Sequence, residues 1–194
     1  TIEDPVEYVY QRKQALIHQR EIGRDGDSFD TALRSAMRED PDVILVGEMR
    51  DYETIAAVVT LAETGHLVFS TLHTIGAAKT IDRIIDVFPP HRQEQIRMQV
   101  SGILKAVITQ QLLPKRDGSG RIAALEVMIG TDAISSMIRE NKVHQINSII
   151  QTGMREGMQS LNFALARLVR NGMVTREVAE KYSDDPQELK QYLQ

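Results

Sequence analysis

The chain has 194 residues, of which 42% are hydrophobic and 26% charged, enough for one domain with a proper core or for one domain plus a small helical subdomain. Its formal net charge is −4 and no basic stripe stands out, so composition gives no reason to expect nucleic acid as a partner. It has no cysteine, which excludes disulfides and cysteine zinc sites, and no apolar segment long enough to span a membrane or resemble a signal peptide. We therefore expect a soluble cytoplasmic protein.

Three carboxylates open the chain within five residues, at Glu3, Asp4 and Glu7. These carboxylates repel one another unless a cation or hydrogen-bond donors lie nearby. Residues 8–22 mix polar and apolar side chains and predict extended structure, either an exposed antiparallel hairpin or an edge strand. Ser28 is a suitable N-cap for a helix that ends at Asp40-Pro41.

The short apolar run of residues 43–46 predicts a strand that is followed by Gly47 and Glu48. Because the run is apolar at every position, it is typical of a parallel sheet covered by helices on both faces. Ligands of such sheets bind beyond the carboxyl ends of the strands, where Glu48 would help to hold Mg²⁺ on a nucleotide phosphate. The same pattern also fits an ordinary buried strand that ends in a solvated glutamate.

A helix is predicted over residues 52–63, with Asp51 as its cap and Gly65 as its stop. The next apolar strand runs between His66 and His73, and His73 stands at its carboxyl end among hydroxyl residues. A lone histidine is more often structural than catalytic. Polar residues at three strand ends of one chain are harder to explain in that way.

The following segment predicts a helix up to Pro89-Pro90, a longer helix that reaches Val107, and strands over residues 107–113 and 122–129. Glu126 lies inside the second strand, and we expect it to be a structural partner for an arginine. From Thr131 onward the pattern is helical, and residues 183–194 predict a loosely packed tail. The predicted domains are a core over residues 1–130 and a helical subdomain over residues 131–194.

Three of these segments resemble the signature motifs of the secretion ATPase superfamily. Residues 3–7 (EDPVE) resemble its Asp box, residues 47–51 (GEMRD) its Walker B motif, and residues 65–74 (GHLVFSTLHT) its His box. Residues 33–42 and 78–83 resemble the PilT family of type IV pilus retraction ATPases within it. The resemblance implies an α/β fold, with a RecA-like P-loop NTPase core followed by a small C-terminal helical subdomain.

The resemblance also implies roles for individual residues. Glu7 would be the general base toward the attacking water, Glu48 would orient Mg²⁺ or its bound water, and His73 would sense or stabilise the γ-phosphate. Further residues are assigned to the ATP site by the same resemblance, with His66 in a supporting role: Glu3, Asp4, Arg50, His66 and Thr74. The implied cofactors are ATP and Mg²⁺.

The family implies an ATP-hydrolysing hexameric ring that powers pilus retraction and twitching motility. ATP would lie at the junction between domains, and the ring would act on an inner-membrane platform protein from the cytoplasmic side. Arg34, Arg38 or Arg50 would contact a phosphate or an adjoining subunit, although surface salt bridges explain each arginine equally simply.

No G-x-x-x-x-G-K-[ST] sequence occurs in the chain. That loop cradles phosphates, and in the family it lies just upstream of the Asp box. We therefore expect this chain to be a C-terminal motor-domain fragment that begins inside the ATPase core and is inactive by itself. The parent protein would supply the P-loop and a further N-terminal domain.

One element departs from the retraction motors, which carry an Arg and an Asn where this chain has Ser135 and Ser136. The change leaves open a paralogue with altered partners. A pilus-extension or type II secretion ATPase is a second alternative, although many of those carry a four-cysteine zinc motif that this chain lacks. For the isolated fragment, a non-enzymatic ring-interface module is a third.

Overall fold

The computed structural model describes all residues from Thr1 to Gln194, and these form two compact units. The first unit comprises Thr1–His73 and Ile84–Ile103, and the second comprises Thr74–Arg83 and Leu104–Gln194. None of the helices has both the length and the apolar composition that a membrane crossing requires.

The first unit contains a four-stranded parallel sheet in the order β2-β1-β3-β4, with helices packed on it. Its elements are β1 (Ile2–Glu3), β2 (Arg20–Glu21), α1 (Phe29–Ala36), β3 (Val43–Val46), α2 (Tyr52–Glu63), β4 (Leu67–Ser70) and α4 (Pro90–Ile103). Helix α3 (Ala77–Asp86) begins in the second unit and ends in the first. Ser28 and Asp51 cap α1 and α2 as predicted, each accepting a bond from the backbone N–H three residues later.

One face of this sheet is buried, and the other is open over parts of β3 and β4. Ile44 and Val46 are 3% and 0% exposed and belong to a core with residues of α1 and α2. Strand side chains alternate between faces, and β3 pairs with β4 in register, so Val43 and Phe69 lie on the opposite face, where they are 53% and 55% exposed. The prediction of helices on both faces is therefore wrong for residues 1–194.

The segment before β2 is mostly irregular. Residues 6–19 contain no strand or helix, and β2 is a two-residue edge strand that runs parallel to β1. The edge-strand prediction is confirmed for Arg20–Glu21, and the antiparallel hairpin is wrong. Side chains hold this segment instead of a backbone ladder.

The second unit is built on a long antiparallel hairpin of β5 (Ala106–Pro114) and β6 (Arg121–Ile129). The predicted strands are confirmed, but α4 stops at Ile103, because Val107 belongs to β5. The remaining helices are α5 (Asp132–Arg139), α6 (Ile146–Thr152), α7 (Leu161–Arg170), α8 (Arg176–Tyr182) and α9 (Pro186–Leu193).

The C-terminal residues are well packed, so the prediction of a loose tail is wrong. Helix α9 packs on α7, and Leu189 is fully buried. Burying a leucine stabilises a fold by about 1.5–3 kcal/mol, and the Asp185 cap at the start of α9 favours the same ordered helix.

The hairpin shares its apolar cluster with these helices. Leu113 of β5 and Ala124 of β6 pack with buried residues of α7, α8 and α9. The compact unit that contains the helices therefore starts well before residue 131. The assignment of residues 1–130 to an ATPase core stays a prediction.

Glu126 in β6 does not pair with an arginine, contrary to the prediction. It is 4% exposed, and its Oε1 accepts a hydrogen bond of 2.7 Å from the backbone N–H of Ala77, the first residue of α3. Burial is the main cause that raises the pKa of Glu126, and the nearby Asp184 and Glu188 carboxylates raise it further, while the Ala77 N–H bond lowers it.

This raised pKa predicts a pH-dependent difference between the wild type and Glu126→Gln. A group whose pKa is higher in the folded state stabilises the fold below its unfolded pKa, and that contribution is lost as the pH rises through the folded pKa. From about pH 4.5, the ordinary value for this carboxyl, upward, the wild type should therefore lose unfolding free energy relative to Glu126→Gln. Urea unfolding of both proteins across pH 4–8 measures this, and a constant difference would contradict it.

Candidate functional site

The carboxyl end of β3 approaches β1 closely at Gly47. The Gly47 N–H donates a 2.7 Å hydrogen bond to the Ile2 carbonyl, and a Cβ at position 47 would lie 3.2 Å from the Glu3 Cα. A larger residue would push the two strands apart. Glycine thus lets the segment that carries Glu48 run beside the segment that carries Glu3 and Asp4.

Glu48 is the best-defined polar group at this end of the sheet. Its side chain is only 11% exposed, and its Oε2 lies 2.7 Å from Arg50 Nε and 3.4 Å from His73 Nε2. Its other oxygen, Oε1, is buried and has no hydrogen-bond partner. Buried carboxylate oxygens are normally bonded, so Oε1 is free to accept from a group that binds here.

The structure therefore brings together Glu48, Arg50 and His73, three residues that the family resemblance assigned to the ATP site. Their roles at such a site stay predictions. The side chains of Arg50 and His73 are 68% and 82% exposed. Both can therefore contact a bound ligand while they stay close to Glu48.

Thr71 connects the segments that follow β3 and β4 by two hydrogen bonds. This role was not predicted from the sequence. Thr71 Oγ1 donates a 2.5 Å bond to the Gly47 carbonyl, and the Thr71 carbonyl accepts a 3.0 Å bond from the Met49 N–H. A threonine after a strand gives no local signal for this role, because its partner lies 24 residues away.

The acidic residues near the start of the chain differ in burial. Glu3 is 7% exposed, and its Oε1 accepts bonds from Thr1 Oγ1 and from Gln19 Nε2 at 3.1 Å. Asp4 and Glu7 are exposed. The structure places Glu3 and Asp4 beside Gly47 and leaves the Glu7 carboxylate open to solvent. Their roles at an ATP site stay predictions.

His66 and Thr74 have structural partners. His66 lies just before the amino end of β4, with Nδ1 3.1 Å from the Leu61 carbonyl, whereas Glu48 is at the carboxyl end of the sheet. Thr74 Oγ1 lies 2.7 Å from Thr80 Oγ1 in the first turns of α3. Nucleotide contacts by these two residues also remain predictions.

Arg34 forms a salt bridge within its own helix. It pairs with Asp30 one helical turn earlier, with 3.0 Å between Nε and the carboxylate. Exposed pairs of this kind contribute little to stability. Arg34 thus forms a surface salt bridge, the simpler of its two predicted roles.

Residues 1–182 match the family model of type II/IV secretion system proteins. The chain belongs to this family. The secretion-system assignment agrees with the motif order noted in the sequence, since the matched range includes all three motifs.

Two similar proteins each match nearly the whole chain. A twitching motility protein of Neisseria gonorrhoeae is 54% identical over 97% of the chain and 50% of its own length. The type IV pilus retraction ATPase PilT of Pseudomonas aeruginosa is 55% identical over 187 residues, which are 96% of the chain and 54% of the relative. The chain therefore spans about half the length of the curated relatives it matches.

A solved structure supports the same grouping. The crystal structure of the pilus retraction motor PilT with bound ADP superposes with a TM-score of 0.89 at 50% identity, covering 98% of this chain and 53% of that one. The predicted fold class, an α/β RecA-like secretion ATPase fold, is confirmed by this match, and so is the resemblance to the PilT family.

Proposed function

We propose that this chain is part of an ATP-hydrolysing motor that powers type IV pilus retraction and twitching motility. The match to a retraction ATPase and a twitching motility protein, each more than 50% identical over at least 96% of the chain, carries this proposal. The nucleotide is inferred from the solved relative, which holds ADP.

Glu48 is the residue that would hold Mg²⁺. Its buried Oε1 has no protein partner, and a carboxylate oxygen is a ligand that Mg²⁺ or a water bound to it prefers. No group of three or more carboxylate, histidine or cysteine side chains is placed to hold a metal alone. This agrees with an ion that is bound by one or two carboxylates together with substrate phosphates, where it supplies positive charge.

The other predicted residues would act on the nucleotide and on water. Glu7 would take a proton from the attacking water at its carboxylate, which is exposed and therefore available. His73 Nε2 and Arg50 Nε lie 3.4 and 2.7 Å from Glu48 Oε2, and both side chains would turn their exposed donors toward the phosphate oxygens. Thr71 bonds the Gly47 carbonyl and the Met49 N–H, the backbone groups on either side of Glu48. These two bonds would keep Glu48 in place at the end of β3.

Most phosphate contacts would come from a P-loop segment upstream in the parent protein. The outer edge of β4 has no strand beside it, and the open face of the sheet carries apolar residues. A strand and helix that bear the P-loop would pair with this edge and cover this face. Residues 1–194 alone are accordingly expected to bind Mg-ATP weakly and to hydrolyse it negligibly.

The proposed assembly follows the family resemblance. The full protein would form a hexameric ring of identical subunits at the cytoplasmic face of the inner membrane and act on the pilus platform protein there. Ser135 and Ser136, half-buried in α5, are the residues at which contacts with such a partner would differ from those of other retraction motors.

A chimera tests the proposal directly. The 187 matched residues of the P. aeruginosa retraction ATPase are replaced by those of this chain, and the chimera is expressed in a strain that lacks its own retraction ATPase. We expect ATP hydrolysis in vitro and restored twitching zones. The same chimera with Glu48→Ala is the control, which should hydrolyse ATP at a strongly lowered rate and should not restore twitching.

The outcomes separate the alternatives. A chimera that does not hydrolyse ATP would contradict the proposed activity. A chimera that hydrolyses ATP without twitching would point to another pilus or secretion step. If twitching then returned on Ser135→Arg with Ser136→Asn, the difference would lie in the partner contacts of α5.

A further inference from the structure

The side chain of Gln19 binds the segment that carries Glu7 at three points. Its Nε2 donates to the Tyr8 carbonyl at 2.9 Å and to Glu3 Oε1 at 3.1 Å, and its Oε1 accepts from the Tyr10 N–H at 2.7 Å. The reverse orientation of the amide would put two acceptors against its oxygen and a donor against its nitrogen. All three partners therefore select one orientation.

The side chain of Gln19 makes the hydrogen bonds that a neighbouring strand would otherwise make. The Tyr8 carbonyl and the Tyr10 N–H flank Val9, and a carboxamide that bonds both acts as a peptide group of a neighbouring strand would act. Residues 6–19 contain no strand of their own. Buried apolar contacts do not compensate, because Tyr8 and Val9 are 79% and 84% exposed. Polar anchors hold this part of the segment.

A second anchor lies on the other side of Glu7. Glu21 Oε2, two residues after Gln19, accepts a 3.0 Å hydrogen bond from the Val6 N–H. The backbone is thus fixed immediately before Glu7 at Val6 and immediately after it at Tyr8. Both anchors come from β2 or the residue next to it, and β2 pairs with β1, the strand that ends at Glu3.

We propose that Gln19 is a positioning residue of the ATPase reaction, because its carboxamide holds the backbone after Glu7 and the carboxylate of Glu3 in one arrangement. This inference rests on the proposed function, in which Glu7 accepts a proton from water. A base must be held near its productive position, since displacements of about 1 Å cost up to about 100-fold in rate. In this role Gln19 acts through Glu7 and not by touching the substrate.

The first measurement concerns the anchor itself and needs no activity. In residues 1–194, Gln19→Ala should remove hydrogen-exchange protection at the Tyr10 amide, and Gln14→Ala should leave it unchanged. Gln14 is an exposed glutamine of the same irregular segment, so it controls for the substitution type. Unchanged protection of Tyr10 in Gln19→Ala would overturn the proposal.

The second measurement is a double-mutant cycle in the chimera described above. Gln19→Ala should lower kcat by about 10- to 100-fold while KM for ATP changes little. Gln19→Glu, which keeps the size but loses both donors, should behave alike. In a Glu7→Gln background, single-turnover rates should show little further loss from Gln19→Ala, since the residue that it positions is already disabled.

Each possible result of the double-mutant cycle either supports or overturns the proposal. A further loss in the Glu7→Gln background as large as in the wild-type background would show that Gln19 acts elsewhere or only on folding, and would overturn the proposal. Unchanged kcat in Gln19→Ala would do the same. An unmutated chimera without ATPase activity would instead overturn the proposed function, and with it this inference, so the two failures are distinguishable.

Discussion

Glutamine at position 7 is expected to lower ATP hydrolysis by the chimera by about 10²- to 10⁴-fold, the usual cost of losing a general base. An amide keeps the size of the side chain but cannot accept the proton of the attacking water. Glu7 is exposed, so the substitution should leave folding and ATP binding nearly unchanged. Single-turnover hydrolysis and equilibrium binding of ATP measure the two effects separately.

Glu94→Gln is the matched control for that variant. Glu94 is an exposed glutamate on α4, and the same change there should leave the rate at the wild-type level. A wild-type rate for Glu7→Gln would remove Glu7 from the mechanism. If Glu48→Gln then lowered the rate of ATP hydrolysis by the factor expected for Glu7→Gln, the buried Glu48 would be the general base.

Alanine at position 48 should raise the Mg²⁺ concentration needed for half-maximal hydrolysis and lower the maximal rate. Residues that support a bound metal or its water typically contribute about 10- to 100-fold in metal affinity or activity. Glu48 Oε1 is the buried oxygen without a partner, so its removal takes away the acceptor that the metal or its water would use. A titration of ATPase rate against Mg²⁺ at saturating ATP measures the shift.

Two comparisons make the Glu48 result specific. Arg50→Ala removes the 2.7 Å partner of Oε2 but leaves Oε1, so it should shift the Mg²⁺ dependence less than Glu48→Ala. An unchanged Mg²⁺ dependence together with an unchanged rate in Glu48→Ala would show that Glu48 only ends a strand. Urea unfolding of residues 1–194 with each change shows whether folding contributes.

The elements that the sequence predicted correctly are those encoded by neighbouring residues. Helix α2 begins directly after Asp51, because the aspartate side chain caps the N–H three residues later, and it ends before Gly65. The sequence predicted polar residues at the carboxyl ends of β3 and β4, and in the structure Glu48 and His73 lie 3.4 Å apart there. Carboxyl ends of parallel strands lie at one edge of a sheet, so this step needed no coordinates.

Two of the errors arose where the partner was distant in the sequence. The tail was expected to be loose because residues 183–194 are polar, yet Leu189 finds a buried site against α7. Glu126 was expected to meet an arginine, and it bonds the Ala77 N–H across 49 residues. Composition describes what a side chain can bond and leaves open which group it meets.

The sequence by itself determined the family, the parallel strands with their polar ends, and the place of Glu48 after β3, because caps, periodicity and short motifs act within a few residues. Only the tertiary structure decided that one face of the sheet is open, that Glu48 Oε1 has no partner, and that Gln19 and Glu21 fix the backbone around Glu7. Those facts depend on how β2, β1 and β3 lie side by side. Strand order and register are set by the burial of the whole sheet, a property that no local stretch contains.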